Sequence, residues 1–234
     1  MEIWPRPFLR GDSLENFDGT LVGGIGAFSE ACVGGAVLCQ PLEVLLVEGR
    51  AQTGLHARLG DAHHRLYEGT LTQAKVSFTL EAFQTDSDGD ILKALGQDSR
   101  TLRFSPKGEL RHFILNMVEK EKIGGALLHL RGEALQLRVY GHTDTKKLNN
   151  ETKTFDEVNQ KTGVEGWGNL SFVDGSKPFI HMHGTYEAHG KKKGGHFIMD
   201  ESTQLLLEKG ELIVYPFSSL ARTKQAEDFP TWKV

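Results

Sequence analysis

The chain has 234 residues, 38% of them apolar and 25% charged, a composition that suits a water-soluble globular protein of one large or two small domains. No run of about 18 apolar residues occurs, which excludes a membrane-spanning helix. The formal charge of −4 is uneven, with 8 Lys and Arg against 14 Asp and Glu in residues 1–100 and 19 against 17 in residues 101–234. Neither half has the positive excess needed to neutralise many phosphates, so nucleic-acid binding is disfavoured.

The opening MEIWPRPFLRGDSLE lacks the basic start and apolar stretch of a secretory signal, which predicts a cytoplasmic protein. Four glycine-bounded apolar stretches follow: GTLVGGIGAFSEACVGG, PLEVLLVEGRAQ, GLHARLGDAHHRLYEGTL and KVSFTLEAF. Cys32 and Cys39 lie in and just after the first of these without Cys-x-x-Cys spacing, and read as small core residues rather than a disulfide or thiolate site. Gly23-Gly24-Ile25-Gly26 is not a dinucleotide fingerprint, because no G-x-G-x-x-G opens a helix there. The polar cluster at residues 86–90 then punctuates the chain, predicting a first domain over 1–85, a linker over 86–100 and a second domain over 101–234.

The second half opens with a predicted helix. Leu110, Phe113, Ile114, Met117 and Val118 recur at helical spacing, with Ser105 as N-cap, Pro106 in the first helical position and Gly124-Gly125 as the stop. After the apolar stretch GALLHLRGEALQLRVYG, residues 143–162 are polar and read as a loop with a short helical turn at 155–160, either a lid or solvated decoration. GVEGWGNLSFVDG, FIHMHGTYEAHGKKKGGHF and QLLLEKGELIVYPF complete the chain's apolar segments in the same order as in the first half. That order, more than residue identity, predicts an internal duplication.

The candidate site lies in the hairpin of the second half. Alternate residues of a strand share a face, so His181 and His183 point the same way. A turn centred on His189-Gly190 places His183 directly opposite His196, with His181 one step along on the same face. Three imidazoles on one patch suit a borderline divalent metal such as zinc, and three protein ligands with an open fourth position is the usual form of a catalytic zinc. A second reading keeps the histidines as structural, hydrogen-bonded to backbone. Glu187 is the nearby carboxylate available to orient a ligand, although it is close to the turn. Gly194 and Gly195 read as a bulge or as a place where backbone or ligand approaches closely. Glu43, at the start of its strand, reads by itself as an exposed strand-edge charge.

Residues 101–217 resemble the PPC domain (plants and prokaryotes conserved), a family long labelled as DNA-binding. The resemblance rests on Leu102-Arg103-Phe104 with Lys107-Gly108-Glu109, the helix into Ile123-Gly124, Gly168-Asn169-Leu170-Ser171, and above all Phe179-Ile180-His181-Met182-His183 with Gly194-Gly195-His196. The first half resembles a degraded second copy through Gly24-Ile25-Gly26-Ala27-Phe28-Ser29, Pro41-Leu42-Glu43-Val44, Gly54-Leu55-His56-Ala57 and Glu68-Gly69-Thr70. The resemblance implies an α+β fold of two tandem PPC-like domains, each a mainly antiparallel sheet packed against one or more helices. It also implies homo-oligomers with trimer-like packing, and a zinc-type divalent metal on His181, His183 and His196. Glu43 stands where the family commonly has a glutamate before a strand. The first copy departs from the pattern, with Gly54 and Thr70 where the first and third histidines belong, so only His56 survives and no metal is expected there. Two functions are open: a metal-dependent protein that binds or transforms a small polar metabolite, or an oligomeric DNA-binding or regulatory protein with a structural histidine cluster. The acidic charge and the absence of a basic arginine–glycine–proline arm favour the first.

Overall fold

A computed structural model describes residues 3–15, 17–85, 100–104, 108–144, 150–199, 205–217, 220–223 and 231–232. Residues 4–85 contribute a six-stranded antiparallel sheet of β1 (Trp4–Leu9), β2 (Thr20–Val33), β3 (Ala36–Leu38), β4 (Leu42–Arg50), β5 (Gly54–Asp61) and β6 (Leu66–Thr85). β2, β4, β5 and β6 pair in turn, and β6 returns to pair with β2, so the sheet closes into a ring. β6 closes it by serving twice: its first residues pair with β5, and those from Leu71 onward with β2. Register shifts along the β2–β6 pair absorb the curvature.

The second sheet contains β7 (Arg100–Phe104), β8 (Gly108–Glu109), β9 (Gly125–His142), β10 (Lys153–Val158), β11 (Thr162–Val173), β12 (Lys177–Ala188), β13 (Lys191–Phe197), β14 (Leu206–Phe217), β15 (Ala221–Thr223) and β16 (Thr231–Trp232). Here β9, β11, β12 and β13 form the ring, since β11 and β13 both pair with β9. β14 lies along the other edge of β9, as β7 lies along β14.

The expected α+β class is therefore incorrect. The protein is almost entirely sheet, with barrel-like rings, and α1 (Leu110–Glu121) is the one α-helix among the described residues. The apolar stripe of this helix buries Leu110, Ile114 and Met117 against the second ring. The helix also starts later than its sequence suggested. Ser105 and Pro106 lie outside the described residues, whereas Gly108 and Glu109 are extended and pair with β14, so Glu109 takes the N-cap position without a side-chain cap. Lys122, in the left-handed region at φ 52°, ends the helix before Gly124. The helical turn expected at 155–160 is replaced by β10, because the far end of β9 offers an unpaired edge and Phe155 takes its place opposite Tyr140. Except for Arg100, the expected linker falls outside the described residues.

The rings pack through a shared core of Val22, Ile25, Leu46 and Phe83 against Leu127, Trp167, Tyr215 and Leu220. The tip of the β5–β6 hairpin docks on β13, where the Gly194 N–H donates to the His64 carbonyl at 3.1 Å. These contacts set one ring against the other.

Candidate metal centre

β12 and β13 are joined by His189 and Gly190 with φ of 53° and 71°, both left-handed as a tight type I′ hairpin requires. This turn produces the register that the sequence implies, with His183 opposite His196 and Gly184 opposite Gly195. The pair has no register shift, so Gly194 and Gly195 do not mark a bulge. They allow close packing: a Cβ on Gly194 would stand 2.1 Å from Leu45 Cδ1, and one on Gly195 would stand 2.5 Å from Val139 Cγ1.

His181, His183 and His196 converge, with one ligand atom from each lying within 4.8 Å of the others. The Nε2 atoms of His181 and His183 are 2.9 Å apart. Both residues are almost fully buried, and the Tyr140 ring stacks on His196 at 4.2 Å. Carboxylates from the other sheet meet this cluster. Glu81 on β6 places Oε2 2.6 Å from His181 Nδ1 and accepts from Asn169 Nδ2 at 2.8 Å. With its Nδ1–H donated to Glu81, His181 turns the Nε2 lone pair toward the other imidazoles. Glu43 on β4 places Oε1 2.5 Å from His142 Nδ1, and its other oxygen is 3.7 Å from His183 Nδ1. Glu43 is thus a buried site residue and not an exposed strand-edge charge.

Burial in this neighbourhood, reinforced by His181, pushes His183 down to about 3, and burial beside His183 and His181 lowers His196 well below the ordinary range. Both are therefore neutral at neutral pH, the ligating form of imidazole. Burial alone would raise Glu43, but the hydrogen bond and charge of His142 outweigh it and hold the carboxyl below its usual value. Two buried nitrogens, His183 Nδ1 and His142 Nε2, have no hydrogen-bond partner among the described residues. A cavity of about 30 Å³ lies between the three histidines, His142, Glu43 and Tyr140, and opens past Gly26, Ala27, Phe78 and Thr79. That is room for an ion and one or two waters.

The remaining sequence candidates are elsewhere. Glu187 is exposed near the hairpin turn, paired in register with Lys192, and does not reach the histidines. His56 stands opposite Thr70 on the β5–β6 hairpin, half exposed and 3.3 Å from Glu68, while Gly54 begins the strand at φ 100°. A groove of about 500 Å³ runs beside Arg58, Arg131 and Glu165. These three are paired with one another: hydrogen bonding from His129, with Arg58 and Arg131 beside it, holds Glu165 down to about 2. Sequence reasoning missed Glu81, His142 and Tyr140 as site residues. The available signal was a lone carboxylate inside the apolar run SFTLEAF, since a charge there requires a buried partner.

No protein-family model matches the sequence, and no curated protein is significantly similar to it. Solved structures do match. α-Acetolactate decarboxylase from Bacillus subtilis strain 168 superposes with a TM-score of 0.55 at 11% identity, over 94% of this chain and 84% of that one. The two proteins share a fold. A plant- and prokaryote-conserved protein from Pyrococcus horikoshii matches 58% of this chain and 91% of its own, at 19% identity and a TM-score of 0.47. A metal-containing protein from Archaeoglobus fulgidus matches 58% of this chain and 93% of its own, at 21% identity and a TM-score of 0.48.

Proposed function

We propose that the chain is a metal-dependent protein in which His181, His183 and His196 hold a zinc-type divalent ion, and that this centre binds and transforms a small polar metabolite. The observation that carries the reading is the convergence of three buried imidazoles, one of them oriented by a carboxylate from a different sheet. The donor set fits an ion: two of the histidines are held neutral, and one ligand atom from each of the three lies within 4.8 Å of the others. When bound, such an ion supplies Lewis acidity toward a carbonyl or carboxylate oxygen.

The chain's own groups do the rest. Glu81 orients His181, and Asn169 steadies Glu81. His142, held at Nδ1 by Glu43, presents Nε2 to the cavity as a hydrogen-bond or proton-transfer partner. Tyr140 covers His196 and helps to limit the water that enters. The fold shared with acetolactate decarboxylase over 94% of the chain supports decarboxylation of a small oxo acid as the first reaction to assay. In the same reading, residues 1–85 and 101–234 are tandem PPC-like units, the first without metal because Gly54 and Thr70 replace two ligands, and the chain forms a homo-oligomer. Elemental analysis of untagged protein is expected to find about one ion per chain, and His183→Ala and His196→Ala each to lower that by at least about tenfold. A wild-type protein that holds no ion and cannot be loaded with zinc overturns the proposal.

A further inference from the structure

The mouth of the histidine cavity is formed by an irregularity in the first ring. Gly26 pairs with Leu80 and Phe28 with Val76, so Ala27 alone faces residues 77–79. Such an insertion bends β6 away from β2, and Ala27, Phe78 and Thr79 are left half-buried around the opening. Gly26 is required beside it, because a Cβ there would stand 2.2 Å from the Thr79 carbonyl oxygen.

The turn after β1 is fastened to this same bulge. Leu9 pairs with Thr79, the Gly11 N–H donates to the Val76 carbonyl at 2.9 Å, and the Val76 N–H donates to the Asp12 carbonyl at 2.9 Å. Asp12 Oδ2 also accepts from the Leu9 N–H at 2.7 Å. Arg10 sits between these anchors, exposed, with its guanidinium carbon 5.7 Å from the centre of the Phe78 ring. Arg58, Arg65, Arg103, Arg131 and Arg138 are each paired with a carboxylate. Arg10 has no such partner among the described residues. Behind the opening the charges run the other way: Glu43, in the cavity wall, is engaged by His142, and Glu81, outside that wall, by His181. Arg10 thus sets a positive charge, without a carboxylate partner among the described residues, on the ring of Phe78 at the opening, while the carboxylates behind are already hydrogen-bonded.

We propose that Arg10 is a specificity-determining residue that captures the carboxylate of a small organic acid at the entrance to the centre. The inference rests on the reading of His181, His183 and His196 as a metal centre. A cavity of about 30 Å³ has space for only a few atoms beyond an ion, so the anionic end of such a ligand stays at the mouth. The guanidinium fork matches a carboxylate in two parallel hydrogen bonds, and Phe78 keeps the fork oriented.

The test uses cobalt(II)-loaded protein, whose visible spectrum reports ligands reaching the ion, with pyruvate as the probe and pyruvamide as its uncharged counterpart. Wild type is expected to bind pyruvate more tightly than pyruvamide. Arg10→Gln is expected to weaken pyruvate binding by about tenfold or more, with pyruvamide binding and cobalt content unchanged, and Arg10→Lys to recover part of the loss. Equal pyruvate affinity in wild type and Arg10→Gln at equal cobalt content overturns the role of Arg10 and leaves the metal centre standing. So does a cobalt-loaded wild type that does not distinguish pyruvate from pyruvamide. Failure of the wild type to take up cobalt overturns the metal centre, and this inference with it.

Discussion

In the hairpin of β12 and β13, His183 stands opposite His196, and His181 lies two residues before His183. In the hairpin of β5 and β6, His56 stands opposite Thr70, and Gly54 lies two residues before His56. The register is the same, but the surroundings differ. His181 and His183 are 3% and 1% exposed, whereas the His56 side chain is 42% exposed and sits against Glu68. Each hairpin also meets a carboxylate from the other sheet. Glu81 orients an imidazole on one, and Glu165 pairs with Arg58 on the other at 3.1 Å. Strand register brings side chains together, but burial and the choice of partner decide whether they form a metal-binding set or an ion-pair network.

The largest effect expected from breaking this contrast comes from Glu81→Gln. A glutamine oxygen in the same place still accepts from His181 Nδ1 and Asn169 Nδ2, but the charge that makes His181 a stronger ligand is lost. Zinc affinity, measured by competition with a chelator, is expected to fall about 10–100-fold. An unchanged affinity would show that the charge of Glu81 does not strengthen His181 as a ligand.

Acid stability sharpens the contrast next. His183 in the folded, metal-free chain is held down to about 3, against 6.5 for an unburied histidine. Between those values the unfolded chain binds more protons than the folded one. The stabilising term is therefore complete above pH 6.5 and is lost as pH falls toward 3, by up to about tenfold in the folding constant per pH unit. Urea unfolding of metal-free protein at pH 7, 6 and 5 measures this slope, and His183→Gln should flatten it. Equal slopes in both proteins would remove His183 as its source.

The smallest effect tests register by itself. Gly54→His combined with Thr70→His gives the β5–β6 hairpin three histidines in the same arrangement. No second ion is expected by elemental analysis, because the face stays half exposed and occupied by Arg58 and Glu68. Denaturation should show a loss of about 1–2 kcal/mol, since Gly54 has φ 100° and a side chain there is strained. A second bound ion would mean that register is sufficient.

Part of this site was legible from the chain alone. A period of two, together with a His-Gly pair able to take positive φ, places His183 opposite His196 through purely local geometry. Its supporting residues were not legible, because they come from far away: Glu81 is 100 residues from His181, and Glu43 is 99 from His142. Glu187, nearest in sequence, is turned to solvent close to the turn. The expected class failed for a related reason. Helical spacing correctly marked α1, but the number of other helices was taken from a family pattern, and residues 153–158 became a strand because the exposed edge of β9 offered them hydrogen bonds. The sequence by itself determined the hairpin, its register and the shared face of its histidines, since those depend on neighbours along the chain. Only the tertiary structure decided that this face is buried and that Glu81 and Glu43 meet it, because those follow from how two closed sheets pack against each other.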